Sequence, residues 1–153
     1  MDTKVGNNFA VVNLGAFSEL AQFTFKATTV PLTVQGKVFL KERLNLSSTE
    51  ISFNTLPPGK SLSFYHTHCL NEEIYIFIQG EGEFQVDDAV FSVTEGTVVK
   101  VDCEGERCWR NTSPAENLYC IVIQARAGSV LDPDIQDGRK VGRVVSWEGK
   151  NRI

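Results

Sequence analysis

The amino-acid sequence predicts an all-β protein, an antiparallel sandwich or barrel, on three observations. From about Gly36 onward, short runs rich in Val, Ile, Phe and Tyr alternate with turn residues. Helical periodicity is confined to one short stretch near the N-terminus. The 153 residues fit one domain, and a hydrophobic share of 42% against 22% charged residues is that of a soluble globular chain able to bury a core.

Taken in order, "FSELAQF" at residues 17–23 has Ser18 as a candidate N-cap and apolar residues at helical spacing, which predicts a short N-terminal helical segment of one or two turns. "EISFNTL" reads as a strand ending at Pro57-Pro58-Gly59. "SLSFYHTH" reads as a strand ending at "CLN", and "EIYIFIQ" as one ending at "GEGE". "FQVDDAVFSV" divides into two strands across Asp87-Asp88; "TEGTVVKVD", "RCWRN" and the apolar "LYCIVIQA" follow. Gly80 and Gly82 suit a sharp reversal or a bulge. The tail after Gly128 is more polar and turn-rich, an extension expected to pack on the strands or on a neighbour.

Composition excludes several classes of partner. The net charge is −4 with no run of Lys or Arg, which argues against nucleic acid or an anionic membrane surface as the main partner. No segment approaches the ~18 consecutive apolar residues of a membrane span. The first residues lack the basic start, apolar stretch and cleavage site of a signal peptide. Cys69, Cys103, Cys108 and Cys120 show neither a C-x-x-C pair nor regular spacing, so reduced thiols and a cytoplasmic setting are expected.

The only two histidines, His66 and His68, lie one residue apart, with Glu72 and Glu73 shortly after. On a strand, residues two apart share a face. A hairpin over "CLN" would set a glutamate of the next strand beside both imidazoles. Two imidazoles and a carboxylate form a facial ligand set for a divalent transition metal, Fe, Mn, Ni, Zn or Cu. One buried, hydrogen-bonded histidine beside an exposed one would explain the same pair.

The surrounding residues favour the metal reading. Gly59, six residues, His66-x-His68, four residues, Glu73, six residues and Gly80 match, with one extra residue after the first glycine, the first motif of the cupin superfamily, G-x5-H-x-H-x3,4-E-x6-G. The chain resembles the small single-domain cupins over about residues 36–126, with N- and C-terminal extensions completing one domain at 1–153. The resemblance implies a jelly-roll β-barrel. It also implies that His66, His68 and Glu73 are metal ligands, with Glu72 the out-of-phase, solvated neighbour.

The second cupin motif, G-x5-P-x-G-x2-H-x3-N, aligns Gly96 and Asn111, but Asp102 replaces the proline and Glu104 the glycine. Arg107 stands where the family has its fourth, histidine ligand. An arginine stays protonated and cannot ligate a metal. With Arg107 inward and Cys108 outward, its guanidinium either binds an anionic group as a fork or forms a salt bridge to Glu73 or Glu72. Trp109 shares strand parity with Arg107, and Tyr75 and Phe77 share it with Glu73, so all three are candidate lining or ligand-binding residues as well as candidate core.

Three functions fit: a metal-dependent enzyme akin to the superfamily's isomerases, epimerases or dioxygenases; a non-catalytic barrel binding a small, anionic molecule; or a barrel kept as an assembly module. A homodimer is expected, because the edges of such sheets need covering and both "KVFLKERL" and "LYCIVIQA" offer pairing surface.

Overall fold

The structure, a computed structural model, describes residues 3–28, 30–131 and 137–150. Twelve strands account for most of the regular structure. Two short pairs stand at the N-terminal end: β1 (Lys4–Val5) with β2 (Ala10–Val11), and β3 (Thr24–Lys26) with β4 (Thr33–Gln35). Next come β5 (Lys37–Phe39), β6 (Thr49–Leu56), β7 (Asn71–Gln79) and β8 (Glu81–Val86). The series closes with β9 (Ala89–Thr94), β10 (Val98–Val101), β11 (Arg107–Asn111) and β12 (Leu118–Arg126).

Strands β5 to β12 form two antiparallel sheets, one of five strands in the order β10-β7-β12-β6-β5 and one of three in the order β11-β8-β9. Their inner faces share one core: Tyr75 and Phe77 from β7, Phe84 from β8, Val93 from β9, Val99 and Val101 from β10, Trp109 from β11, and Leu118, Cys120 and Val122 from β12. The period-2 alternation of each strand supplies these residues. The reversal between β7 and β8 requires glycine, since Gly80 has φ +91° and a Cβ there would lie 2.4 Å from the Asn117 carbonyl oxygen.

The other face of the five-stranded sheet is covered in part. Leu14, Phe17, Leu20 and Phe23 of the N-terminal segment pack on Val38, Leu40, Phe53 and Tyr119, with Phe17 stacked on Phe53 at 4.9 Å between ring centres. This outer layer is one reason β12 reads as a nearly continuous apolar run.

Several expectations need correction. The N-terminal helical segment is a 3-10 helix at Phe17–Gln22 capped at Ala16, not at Ser18; Ala16 N–H donates to Glu19 Oε2 at 3.2 Å. A single α-helical turn, α1 (Lys41–Leu44), follows β5 inside "KVFLKERL" and ends in left-handed Asn45. "SLSFYHTH" is not a strand: it runs extended, bridged to β11 only at Ser61–Arg110 and His66–Arg107. "LYCIVIQA" lies centrally, paired with both β6 and β7, and so offers no edge. Strands β5 to β12 make two separate hydrogen-bonded sheets rather than a closed ring. In the tail, residues 137–150 contain no helix or strand and lie exposed rather than packed on the sheets.

Candidate metal centre and cavity

Glu73 reaches the interior by strand parity. On β7, Glu73, Tyr75 and Phe77 face inward and Ile74, Ile76 and Ile78 outward, and Glu73 is 2% exposed. Glu72 points the other way and pairs with Lys100 at 3.4 Å. The histidines come from the opposite side. Their segment is tied to β11 and to the turn before it: Leu62 N–H donates to Trp109 O at 3.1 Å, Arg107 N–H to His66 O at 3.2 Å, and His68 N–H to Cys103 O at 2.9 Å. The expected His–Glu hairpin does not exist, because β7 is already bonded on both sides by β10 and β12. The three side chains meet across the gap between the sheets instead.

The meeting is close. His66 Nε2 lies 3.4 Å from Glu73 Oε2 and His68 Nε2 lies 3.1 Å from Oε1. One ligand atom from each residue falls within 4.8 Å of the others, and the imidazoles stand nearly perpendicular at 86°. Burial alone would raise the Glu73 pKa; hydrogen bonds from His66 and Tyr75 and the charge on the two histidines outweigh it and hold the carboxyl down at about 2. Tyr75 donates its hydroxyl to Glu73 Oε2, and burial together with the carboxylate pushes its phenol far up, so it stays a donor.

The polar atoms fit a cation. His68 Nε2 is buried and, despite its 3.1 Å approach to Oε1, has no aligned hydrogen bond; His66 Nδ1 also lacks a partner among the described residues. An unsatisfied buried nitrogen costs about 1–3 kcal/mol. Two imidazole nitrogens converging on one carboxylate, with His68 Nε2 unsatisfied, are the donor set of a divalent transition metal.

Arg107 occupies the space behind this set. It is completely buried, with Nε 3.2 Å from Glu73 Oε2, one terminal nitrogen donating to the carbonyl oxygens of His66 at 3.1 Å and Cys103 at 3.5 Å, and the other to that of Asp102 at 3.2 Å. Cys108 faces away, its thiol toward Leu62 O. Asn111, the last position of the second motif, ties the following loop to β6 by donating to the carbonyls of Leu56 and Glu116, both at 2.8 Å.

A cavity of about 210 Å³ opens over the three candidate ligands. Tyr75 and Trp109 line it. Phe77 and Arg107 do not: Phe77 is closed in by Phe84 and Trp109 at 6.2 and 5.8 Å between ring centres, and Arg107 lies beneath Glu73. Sequence reasoning missed four polar lining residues, Lys37 of β5, Asn54 and Thr55 of β6 and Gln124 of β12, and the cover supplied by Phe25, Leu32 and Val34 around the β3–β4 pair. The inward parity of Gln124 was readable from the β12 alternation. That of Lys37 depends on its pairing with Asn54, which no local pattern reveals.

An inward His-His-Glu set between two antiparallel sheets defines the cupin class, and comparison with known proteins agrees. The family model of the cupin domain matches residues 52–123. A crystal structure of a cupin protein from Bacteroides fragilis is 30% identical, covering 69% of this chain and 88% of its own, with a TM-score of 0.64. The chain belongs to the cupin family. A protein from Acidithiobacillus ferrooxidans, assigned provisionally as a sugar phosphate isomerase, is 25% identical over 59% of this chain and 58% of its own, with a TM-score of 0.53. A cupin-superfamily sugar phosphate isomerase from Silicibacter pomeroyi shares the fold at 18% identity, covering 60% of this chain and 59% of its own, TM-score 0.53. No curated protein matches the chain in sequence. Among the described residues, no helix is long and apolar enough to cross a membrane.

Proposed function

We propose that this cupin binds a divalent transition metal through His66, His68 and Glu73 and takes a small molecule in the adjoining cavity. The observation that carries the reading is His68 Nε2, buried without an aligned hydrogen bond beside a carboxylate and a second imidazole. A bound metal would supply Lewis acidity toward an oxygen-bearing ligand. The chain's own residues do the rest. Tyr75 and Arg107 hold Glu73 Oε2 in place, and the bridge from Arg107 to His66 O sets the histidine segment against β7. In this reading Arg107 positions the ligand set instead of gripping an anion, since its two terminal nitrogens are committed to three carbonyls and its Nε lies 3.2 Å from Glu73 Oε2 without an aligned hydrogen bond.

Metal analysis of protein purified without chelator tests this. Wild-type protein should carry transition metal, and the paired substitutions His66→Ala and His68→Ala should remove it with the fold retained by circular dichroism. Equal metal in the double variant sinks the proposal. One observation favours a second reading, a metal-free ligand-binding cupin: Glu73 already has Tyr75, Arg107 and the histidines around it. Metal-free wild-type protein that binds small anions in thermal shift assays, and takes up no added metal, would establish that reading.

We also propose a two-fold homodimer. The outer strands β9 and β10 present free edges, with Val90 and Val98 about three-fifths exposed. A monomer by light scattering at micromolar concentration would refute it.

A further inference from the structure

We propose that Lys37 is the anion-binding group of the cavity, receiving the carboxylate or phosphate of a small ligand whose other oxygens face His66, His68 and Glu73. The second half of that statement rests on the metal-binding reading; the first half does not.

The placement follows from the short strand β5. Val38 points outward into the layer formed by the N-terminal segment, so its neighbours Lys37 and Phe39 turn inward, and both line the cavity with the three candidate ligands. The Lys37 ammonium stands over the Phe39 ring, 4.7 Å from its centre. Among the described residues Nζ makes no ion pair and no hydrogen bond. The carboxylate facing the same cavity, Glu73, is engaged with Arg107, Tyr75 and the histidines. A lysine ammonium carries three donors, and in half-buried Lys37 no protein acceptor replaces the water they lose. Burial accordingly lowers the Lys37 pKa, with the charge on Glu73 the largest opposing effect.

Charge balance points the same way. A divalent cation on the histidines would add two positive charges to those of Arg107 and Lys37, against the single carboxylate of Glu73. An enclosed site with that excess favours an anionic occupant. At about 210 Å³ the cavity is smaller than the roughly 300–1,000 Å³ of drug-sized pockets. Mostly apolar walls, including Leu32, Val34, Leu56 and Val122, leave Lys37 to orient one end of the ligand.

Calorimetric titrations of wild-type protein, Lys37→Met and Lys37→Arg with malate, sn-glycerol 3-phosphate, inorganic phosphate and glycerol test the assignment, each with metal-free and metal-loaded protein. The expected result is binding of malate or glycerol 3-phosphate to wild type, weakened at least tenfold in Lys37→Met and largely kept in Lys37→Arg, with glycerol indifferent to the substitution. Malate alone would identify a carboxylate site, and either phosphate a phosphate site. Metal content should be the same in all three proteins, and Lys37→Met should melt no lower than wild type because it removes an unpaired, half-buried charge. Should Lys37→Met fail to fold, Lys37→Gln takes its place. Anions bound equally by wild type and Lys37→Met, or not bound at all by wild type, overturn the proposal. Absence of metal together with Lys37-dependent anion binding overturns the metal reading and leaves this one standing.

Discussion

The guanidinium of Arg107 and the carboxylate of Glu73 form a completely enclosed pair, Nε to Oε2 3.2 Å, in which the arginine also binds the backbone carbonyl of His66. Glu73 belongs to the five-stranded sheet, while the histidine segment is bridged to the three-stranded one. Arg107 therefore joins the two halves of the candidate site. Where the second cupin motif has its histidine, this chain has a clip between Glu73 and the backbone of the histidine segment.

The first prediction concerns that clip. Arg107→Ala leaves the Glu73 carboxylate and three backbone carbonyls without their main cationic donor in a closed interior. Removing one partner of a buried ion pair costs about 3–5 kcal/mol. Urea unfolding of metal-free protein should show a loss of that order, with Arg107→Lys recovering only part of it, because an ammonium cannot reproduce the planar fork. A loss below about 1 kcal/mol would mean that the pair is replaceable and the clip unimportant.

The parts of this site that were legible in the sequence are those that depend on residue type and strand parity. His66, His68 and Glu73 stand out because few residue types ligate metals and their spacing is distinctive. Gly96 and Asn111 fix the register that turns Arg107 inward. What was not legible depends on long-range pairing. A hairpin between the histidines and Glu73 was the simplest local inference, but β7 finds its partners in β10 and β12, both distant in sequence. Lys37 escaped for the same reason, since a three-residue strand acquires a face only from its register with β6. The N-terminal segment gave no strong periodic signal, yet it packs on Ile51 and Phe53 of β6 and Tyr119 of β12 on their outer side.

Acid should unfold the metal-free protein partly through Glu73. Its folded pKa of about 2 lies below the ordinary value of 4.5. The stabilisation it contributes is thus fully present above pH 4.5 and is lost as pH falls from 4.5 toward 2. A depression of this size corresponds to roughly 3 kcal/mol. Chelator-treated wild type should lose its stability advantage over Glu73→Gln across that window, and the two should converge near pH 2. Parallel stability curves from pH 6 to 2 would contradict this.

The cysteines should separate by burial. Cys69 is exposed, Cys103 and Cys108 are partly covered, and Cys120 is buried, its thiol pushed up to about 12 by burial. Thiolate is the reactive form. With a thiol reagent at pH 8 the native protein should show a fast phase that disappears in Cys69→Ser, while Cys120 is modified only on unfolding. Early labelling of Cys120, located by peptide mass spectrometry, would show that the core between the two sheets opens more readily than its packing implies.

The final prediction returns to Arg107 and the metal. A fixed positive charge 3.2 Å from a ligating carboxylate opposes a second cation on the same group. Arg107→His removes that charge at neutral pH and places an imidazole at the position the family uses for its fourth ligand. Metal affinity of the apo-protein should rise at least about tenfold, equivalent to ~1.4 kcal/mol. Arg107→Lys should leave affinity near wild type or below it, because the charge persists while the grip on the His66 carbonyl weakens. The two effects are separable by melting temperature: Arg107→His is expected to be less stable without metal and to gain more than wild type when metal is added. A tighter-binding variant with no greater metal-induced stabilisation would place the bound metal away from Glu73. Unchanged affinity in a folded Arg107→His protein would mean that Arg107 does not restrain the metal site electrostatically, leaving only its structural tie between the sheets.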